Sequence, residues 1–322
     1  MIRMVLSRLA QAPLILLAVY TITLALAWLI PGNPIDNPEG RRPPPEVIEQ
    51  INERYNLDSF PAFYFGYLDR ASGLSWARGA MAGEARGPVF DLGPSLQYSD
   101  WSVTEIVAGS LPVSVVLGGS AIFLALGLGV GAGVAGSIRP GSIVDTATLA
   151  VALAGISMPS FLVGTLLLAG LGVALPVFPV AEWGTARSLA LPAVTLSLPF
   201  AAYIARLTRL GMIDALNGDA VRTARAKGLR ERSVVLKHAL RQALLPVVSY
   251  LGPAAAYAMT GSFVVERVFR VPGIGQHFVN AVQNKDLFLI TSVTLVFASI
   301  LILFNLAVDV AYRWVDPRIG SA

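Results

Sequence analysis

Nine basic side chains lie close together between positions 206 and 241 and form the densest group of charged residues in the sequence. They are Arg206, Arg209, Arg222, Arg225, Lys227, Arg230, Arg232, Lys237 and Arg241, against only Asp214, Asp219 and Glu231. Clustered cations attract anionic groups, and in a connection between apolar segments they mark the cytoplasmic side of a membrane protein. This group of residues therefore indicates binding to anionic partners and the orientation of the chain in a membrane, and does not indicate a catalytic reaction.

The pattern within this basic region predicts two helices joined by a glycine. Residues 220–227 read as a short helix, Gly228 as the residue that ends it, and residues 233–245 as a second helix that enters the membrane. A helix, a glycine turn and a second helix form a rigid lever. Such a lever can carry force from a cytoplasmic partner to membrane-embedded helices.

The sequence carries none of the catalytic motifs that would make it an enzyme. It has no Gly-Lys dipeptide, which a phosphate-binding loop requires, no H-E-x-x-H pair and no G-x-S-x-G elbow. Cysteine is absent, and the two histidines, His238 and His277, are far apart, so we expect no disulfide and no metal site. We predict no catalytic residue and no cofactor on this chain.

The composition is that of a chain folded in lipid. Hydrophobic residues make up 55% of the sequence and charged residues 14%, against a charged share of roughly 25% in soluble domains. The charges are clustered between long uncharged runs. The excess of basic residues falls in a short connection between apolar segments, so we expect no nucleic acid as a partner.

Six apolar segments are long enough to cross a bilayer core of about 30 Å, which needs roughly 20 helical residues. They are residues 10–30, 111–138, 146–181, 189–205, 243–265 and 287–308. The first follows Arg3 and Arg8 as a signal peptide would, but it is too long and lacks a small-residue cleavage site, so we predict that it is retained. The third is long and contains Pro159, which predicts one bent span with a re-entrant or interfacial piece.

The basic region fixes the predicted orientation and the domain boundaries. With residues 206–242 in the cytoplasm, both termini are cytoplasmic and the polar stretch after the first span lies outside. The predicted parts are residues 1–30 (N-terminus and first span), 31–110 (an extracytoplasmic module with a helix at 46–57), 111–312 (the transmembrane core) and 313–322 (a cytoplasmic tail).

A few other residues invite a functional reading, and for each a structural one is favoured. Close helix packing is predicted for the second span by its glycines, Gly127, Gly129, Gly131, Gly133 and Gly136. Packing within this chain is favoured over an interface between two chains. Glu266 and Asp309 lie near the ends of spans, where both can reach an interface. His277 is expected on a solvated loop and His238 on a helix surface.

Several motifs, in order along nearly the whole chain, resemble the permeases of ABC-type peptide importers. The stretch Asp219–Leu229, DAVRTARAKGL, resembles the cytoplasmic loop of the subunit class that carries RTARAKGL. Further similar motifs are Leu29–Pro34, the SxPxF sequence of Ser157, Pro159 and Phe161, residues 264–269 with 272–275, and Asn305, Asp309, Tyr312 and 316–318.

The resemblance implies a type I importer permease of about six transmembrane helices with an extracytoplasmic insertion after the first, in a bacterial inner membrane. It implies as partners a second homologous permease, two ATPase subunits that hold ATP and Mg²⁺, an extracytoplasmic binding protein and membrane lipid. The residues implied to dock on an ATPase are Arg222, Thr223, Ala224, Arg225, Ala226, Lys227, Gly228 and Leu229, and those implied to form a kink are Ser157, Pro159 and Phe161. Peptides are the implied cargo, since relatives of this type carry dipeptides or oligopeptides, while others carry nickel complexes or other small solutes. No residue is assigned to bind the cargo.

Two other functional classes compete with the importer. A stand-alone secondary transporter driven by an ion gradient needs ionisable residues or broken helices near the midplane, often in an inverted repeat. The predicted spans carry no midspan charge and no visible repeat. A membrane-embedded hydrolase would need one of the absent catalytic motifs or paired intramembrane aspartates.

Overall fold

The computed structural model describes residues 2–31, 45–84, 87–98 and 101–315. Within these ranges the secondary structure is helical apart from one isolated bridge between Pro94 and Ser102. The predicted all-α class is therefore confirmed for this part of the chain, which forms two compact units. The core unit is Val113–Pro272 with the described residues before Leu9 and after Ser299. The aromatic unit is Leu9–Pro112 with Gly273–Ser299.

The helices are numbered here along the chain. They are α1 (Ile2–Leu29), α2 (Pro45–Tyr55), α3 (Phe60–Ala71), α4 (Leu74–Met81), α5 (Val103–Ile138), α6 (Ile143–Ser157), α7 (Ser160–Leu167, continued by π-helical Leu168–Ala174), α8 (Ala186–Leu216), α9 (Asp219–Ala226), α10 (Glu231–Ser233, continued by π-helical Val234–Ala239), α11 (Leu240–Ala243), α12 (Leu245–Met259), α13 (Phe263–Phe269), α14 (Ile274–Gln283) and α15 (Leu287–Val315).

Four of these helices, α1, α5, α8 and α15, are each long and apolar enough to cross a membrane. They coincide with the first, second, fourth and sixth predicted spans. Helix α8 continues eleven residues past the predicted end at 205, through Arg206 and Arg209 to Leu216. Arginine has high helix propensity, so it does not end a helix as it ends a hydropathy run.

The third predicted span is two helices joined at a corner. Helices α6 and α7 are bent by 103° at Met158 and Pro159. Both residues have extended backbone angles, with ψ of 129° and 131°. Proline disfavours the helical region for the residue before it, and this explains a complete break in place of a gentle kink. The predicted bend is confirmed, and α6 with α7 could together form one broken span.

The fifth predicted span, residues 243–265, is wrong as one continuous helix. Helix α12 ends at Met259, and α13 starts at Phe263. Gly261 between them has φ of +92°, and the Ser262 side chain accepts a hydrogen bond from the backbone N–H of Val265, which caps α13. In the sequence Thr-Gly-Ser, the glycine favours the end of one helix and the serine favours the start of the next. A hydropathy profile averaged over many residues does not show this break.

Glycines on α5 allow close packing inside the core unit. A Cβ atom added at Gly129 would lie 2.7 Å from the carbonyl oxygen of Ala201, and one at Gly133 would lie 2.6 Å from that of Ala205, both on α8. Gly131, between them, has nothing within 4 Å of such an atom. The prediction that this glycine-rich span packs within the chain is confirmed for Gly129 and Gly133.

The aromatic unit is held together by rings contributed from distant parts of the sequence. Tyr20 of α1 stacks on Tyr67 of α3 with ring centroids 5.6 Å apart, and Phe63 contacts Phe288 of α15 at 5.2 Å. The Tyr67 hydroxyl lies 2.7 Å from the Ser292 hydroxyl. The predicted helix at 46–57 is present as α2, and the Gly- and aromatic-rich stretch that follows folds as α3 and α4.

Candidate functional site

Helix α9 is the eight-residue helix that the sequence placed at 220–227. Val221 and Ala224 are buried, with exposed fractions of 0% and 3%. They pack with Met212 and Ala215 from the end of α8 and with Val234 and Ala239 from the π-helical segment. This small apolar cluster fixes α9 against the two helices that flank it.

The opposite face of α9 is exposed and basic. Arg222, Thr223, Ala226 and Lys227 are all exposed, as is Leu229 beyond the helix. Ala224, which the sequence grouped with them, lies on the buried face, so its side chain supports the helix from within the chain. The helix thus presents cations and a hydroxyl to its surroundings.

Gly228 ends α9 in the manner predicted, as a left-handed residue. Its φ is +73°. Its N–H donates to the Arg225 carbonyl at 2.9 Å, and the Leu229 N–H donates to the Ala224 carbonyl at 3.3 Å. This pair of hydrogen bonds is the Schellman motif, which favours glycine because a left-handed residue with a Cβ atom is strained.

An ion pair closes the turn around Gly228. Arg225 donates through Nη2 and Nε to the two carboxylate oxygens of Glu231, at 2.6 Å and 3.2 Å. The hydrogen bonds from Arg225 lower the pKa of Glu231 below its ordinary value, which keeps the pair charged at neutral pH. Sequence reasoning counted Glu231 only as an acidic residue of the loop. The signal that it missed was the spacing of six residues across a glycine turn.

A cavity of about 350 Å³ lies beside this ion pair. It is lined by Val134, Ile138, Leu216, Arg225, Glu231, Arg232, Val235 and Leu236. The second predicted helix, at 233–245, begins earlier, at Glu231, and runs through the π-helical segment and α11 towards α12. Its start therefore lies next to α9, the cavity and the end of α5.

A second ion pair ties α8 to α6. Arg209 contacts the Asp145 carboxylate through Nε at 2.5 Å and through Nη2 at 2.7 Å. The side chains are 18% and 3% exposed. Asp145 also accepts from the Gly141 N–H at 2.8 Å. The pair lies less than three turns along α8 from its junction with α9.

The residues predicted to form a kink lie at the corner between α6 and α7. Ser157 ends α6, Pro159 precedes the first residue of α7, and Phe161 lies in its first turn with 52% of its surface exposed. The corner is not part of α9, but α6 and α7 both pack on α8, the helix that leads into α9.

Three further residues were placed by the sequence near interfaces or in loops. Glu266 is fully buried and accepts a hydrogen bond from the Ser114 hydroxyl at 2.7 Å, in keeping with the favoured structural role. Asp309 pairs with Arg8 at 2.8 Å, in keeping with a structural role. His277 is on α14, edge-on to Tyr98, and burial lowers its pKa, so the expected solvated loop is wrong.

Sequence comparison relates the chain to known proteins over its full length. Residues 125–321 match the family described as binding-protein-dependent transport system inner membrane component, and residues 1–118 match the N-terminal family of the same components. The chain is 41% identical to the oligopeptide transport system permease protein of Escherichia coli (strain K12) over 99% of each chain. It is 38% identical to the protein of the same description from Haemophilus influenzae, again over 99% of each chain. It is 36% identical to the dipeptide transport system permease protein of Bacillus subtilis, over 94% of this chain and 93% of that one.

Proposed function

The chain belongs to the family of inner membrane components of binding-protein-dependent transport systems, and from this premise we propose that it is the pore-forming permease of a peptide importer. ATP is hydrolysed by separate subunits. Relatives named for oligopeptide and dipeptide transport, similar over nearly their whole length, support peptides as the cargo. The chain is a multi-pass inner membrane protein.

The observation that supports a role in coupling the ATPase to the membrane helices is that α9 has one buried face and one exposed face. Its inner face is anchored by Val221 and Ala224 to the helices on either side, and its outer face offers Arg222, Thr223 and Lys227. A helix attached in this way moves its neighbours when it is itself displaced. We therefore assign the outer face to docking on an ATPase subunit, with the turn at Gly228 setting the direction of the chain that follows.

The proposed topology follows from the basic region. Six passes, with α6 and α7 as one broken pass and α12 as a short fifth, place α9 and both termini in the cytoplasm. The segment from 31 to 110 then faces outward, towards the binding protein or the second permease. The proposed assembly contains two homologous permeases, two ATPases and one extracytoplasmic binding protein.

Reconstitution tests this function directly. The chain is placed in proteoliposomes alone and with a second permease, the ATPases and the binding protein, and uptake of a labelled peptide is measured with and without ATP. We expect uptake only from the complete set with ATP. Gradient-driven uptake by the chain alone would contradict the proposal and identify a secondary transporter.

The corner at Pro159 is proposed to belong to the moving part of the permease. Replacing Pro159 by Ala restores an N–H donor and lets α6 continue towards α7 as a straighter helix. We expect assembly to be retained and peptide uptake to fall severalfold, with Pro13→Ala in α1 as a control. Parental uptake by an assembled Pro159→Ala complex would exclude the corner from gating.

A further inference from the structure

The exposed face of α12 differs in chemistry from a lipid-facing surface. Pro246, Ser249, Pro253 and Tyr257 are exposed, and Tyr250 is half-buried beside them. Their spacing places all five within about 100° of the helix circumference. This face has two phenol hydroxyls, one alcohol and two prolines, and no leucine, isoleucine or valine.

The exposed face of helix α5, in the same unit, has a different composition. From Val113 to Ile138 its exposed large side chains are Val115, Val116, Phe123, Leu128 and Ile138. No exposed residue in that range carries a hydroxyl. A phenol hydroxyl left without a partner in hydrocarbon costs free energy, so surfaces that meet lipid tails avoid it. The Ser249 hydroxyl is satisfied within its own helix and does not add to this cost. The exposed face of α12 therefore does not have the composition of a lipid-facing surface.

The aromatic side chains continue from α12 onto α8. Tyr203 and Tyr250 have ring centroids 4.4 Å apart, and Phe200 and Tyr257 have centroids 6.1 Å apart with rings inclined at 68°. Tyr203 is 41% exposed and Tyr257 67%. We name these four residues the aromatic strip. It consists of two ring pairs, each of which joins α8 to α12 in the core unit.

The backbone adds a polar group beside the strip. Pro253 has no N–H to donate to the carbonyl of Ser249, one turn earlier in the helix. The Ser249 hydroxyl instead donates to the Leu245 carbonyl, at 3.2 Å. A carbonyl without its helical donor lies next to Tyr250 and can accept a hydrogen bond from another molecule.

The two helices that carry the strip are those on either side of α9. Helix α8 runs into it, and α12 follows it through α10 and α11. The buried cluster of Val221, Ala224, Met212 and Val234 packs α9 against α8 and against the π-helical segment that leads through α11 to α12. A displacement of α9 can therefore reach the strip directly through α8 and along the chain through α11 and α12.

Resting on the proposed function, we propose that the aromatic strip lines the translocation path and contacts the peptide in transit. Tyrosine hydroxyls both donate and accept hydrogen bonds, so they suit the N–H and C=O groups that every peptide carries. Aromatic faces pack against side chains of many shapes. The α12 face from Pro246 to Tyr257 has no charged residue, so it holds neither charged terminus of the peptide tightly.

Transport by single variants provides the first test. In the complete reconstituted importer, Tyr203→Leu and Tyr257→Leu should each lower peptide uptake at subsaturating peptide by about tenfold, because a ring and a hydroxyl that contact the cargo are lost. The rate of ATP hydrolysis stimulated by the binding protein should remain within about twofold of the rate in the parental complex. Phe123→Leu on α5 is the matched control and should transport normally. Parental uptake by both tyrosine variants would overturn the proposal.

Thiol labelling provides the second test, because the chain has no cysteine of its own. In a complex whose other subunits also lack cysteine, Tyr257→Cys should react with a charged, water-soluble reagent, and saturating peptide under turnover should slow the reaction. Phe123→Cys should react only with a lipid-soluble reagent. If Tyr257→Cys reacts only with the lipid-soluble reagent, the strip faces lipid and the proposal fails. If it reacts in the isolated chain but never in the complex, the second permease covers the strip and the proposal fails.

The same preparation separates this inference from the proposed function. If the parental complex does not import peptide with ATP, the proposed function fails and takes the inference with it. If the parental complex imports peptide while the variants and the labelling give the contrary results above, only the aromatic strip is refuted.

Discussion

Two glycines of this chain end short helices in the same way, and only one of them lies in the proposed docking loop. Gly228 follows the eight-residue α9, and Gly83 follows the eight-residue α4. Each has φ of +73° and nothing within 4 Å of an added Cβ atom. Each also completes the same pair of hydrogen bonds to its helix. Substituting each glycine in turn therefore separates the effect of backbone strain, which both variants share, from the effect of a location in the proposed docking loop, which only Gly228 has.

We expect Gly228→Val to abolish most peptide uptake while the complex still assembles. The strain of a left-handed valine costs about 1–2 kcal/mol, or the turn changes its angles and redirects the chain after α9. The change of angles shifts Arg222 and Lys227 relative to the ATPase, whereas strain alone only lowers stability. The measurement is uptake together with binding-protein-stimulated ATP hydrolysis in assembled complexes.

Gly83→Val carries the same local strain and should transport at close to the parental rate. Gly228→Asn should recover part of the uptake, because asparagine tolerates the left-handed region. Normal coupling by an assembled Gly228→Val complex would remove α9 from the coupling mechanism.

The buried pair of Arg209 and Asp145 predicts a large effect on stability from a single charge. Asp145→Asn leaves the Arg209 guanidinium partly buried without its counter-ion, so it should lower the melting temperature clearly. The exposed pair of Asp219 and Arg222, 3.5 Å apart, is the control, and Asp219→Asn should cost less than about 0.5 kcal/mol. Thermal unfolding of the purified chain in detergent measures both. Equal melting temperatures for the two variants would show that the pair does not stabilise the fold.

At the scale of elements, sequence reasoning succeeded where a local signal and the fold agree. Helix α9, its glycine end and the break at Pro159 are set by residues within a few positions, and all were predicted. The break between α12 and α13 was missed because hydropathy averages over Thr260, Gly261 and Ser262. The hydrogen bond between Tyr67 and Ser292 joins residues 225 positions apart, and no pattern along the chain indicates such a pairing.

The packing of α5 on α8 gives a prediction for a whole helix face. Gly129→Ala should destabilise the chain by about 1–3 kcal/mol, because its Cβ atom would overlap the Ala201 carbonyl oxygen, which is fixed in α8. Gly131→Ala, two residues away, meets nothing within 4 Å. It should stabilise α5 by roughly 0.5–1 kcal/mol, since alanine favours a helix over glycine. Opposite shifts in melting temperature are the expected result, and a rise for both would show that α5 and α8 do not pack this closely.

At the scale of the molecule, the aromatic unit depends on a buried acid. Asp286 is fully buried. Its carboxylate accepts hydrogen bonds from the Ser95 hydroxyl at 2.6 Å, from the N–H groups of Leu96 and Gln97, and from that of Leu289 in the first turn of α15. Burial raises its pKa, and these donors act in the other direction. The hydrogen bonds join the segment after α4 to the start of α15, so residues that are distant in sequence form one folded unit.

The sidedness proposed for the whole chain rests on where its charges lie, and thiol labelling can test it. Ser72 is exposed at the end of α3, and Arg230 is exposed between α9 and α10. In the proposed topology three passes lie between the two residues, namely α5, the broken pair of α6 and α7, and α8, so the two residues are on opposite sides of the membrane. Because the chain has no cysteine, Ser72→Cys and Arg230→Cys each introduce a single thiol. In intact cells, a membrane-impermeant thiol reagent should label Ser72→Cys and leave Arg230→Cys unlabelled, and in inverted vesicles the labelling should reverse. Labelling of Ser72→Cys only from the cytoplasmic side would invert the topology, move α9 away from any ATPase and contradict its docking role.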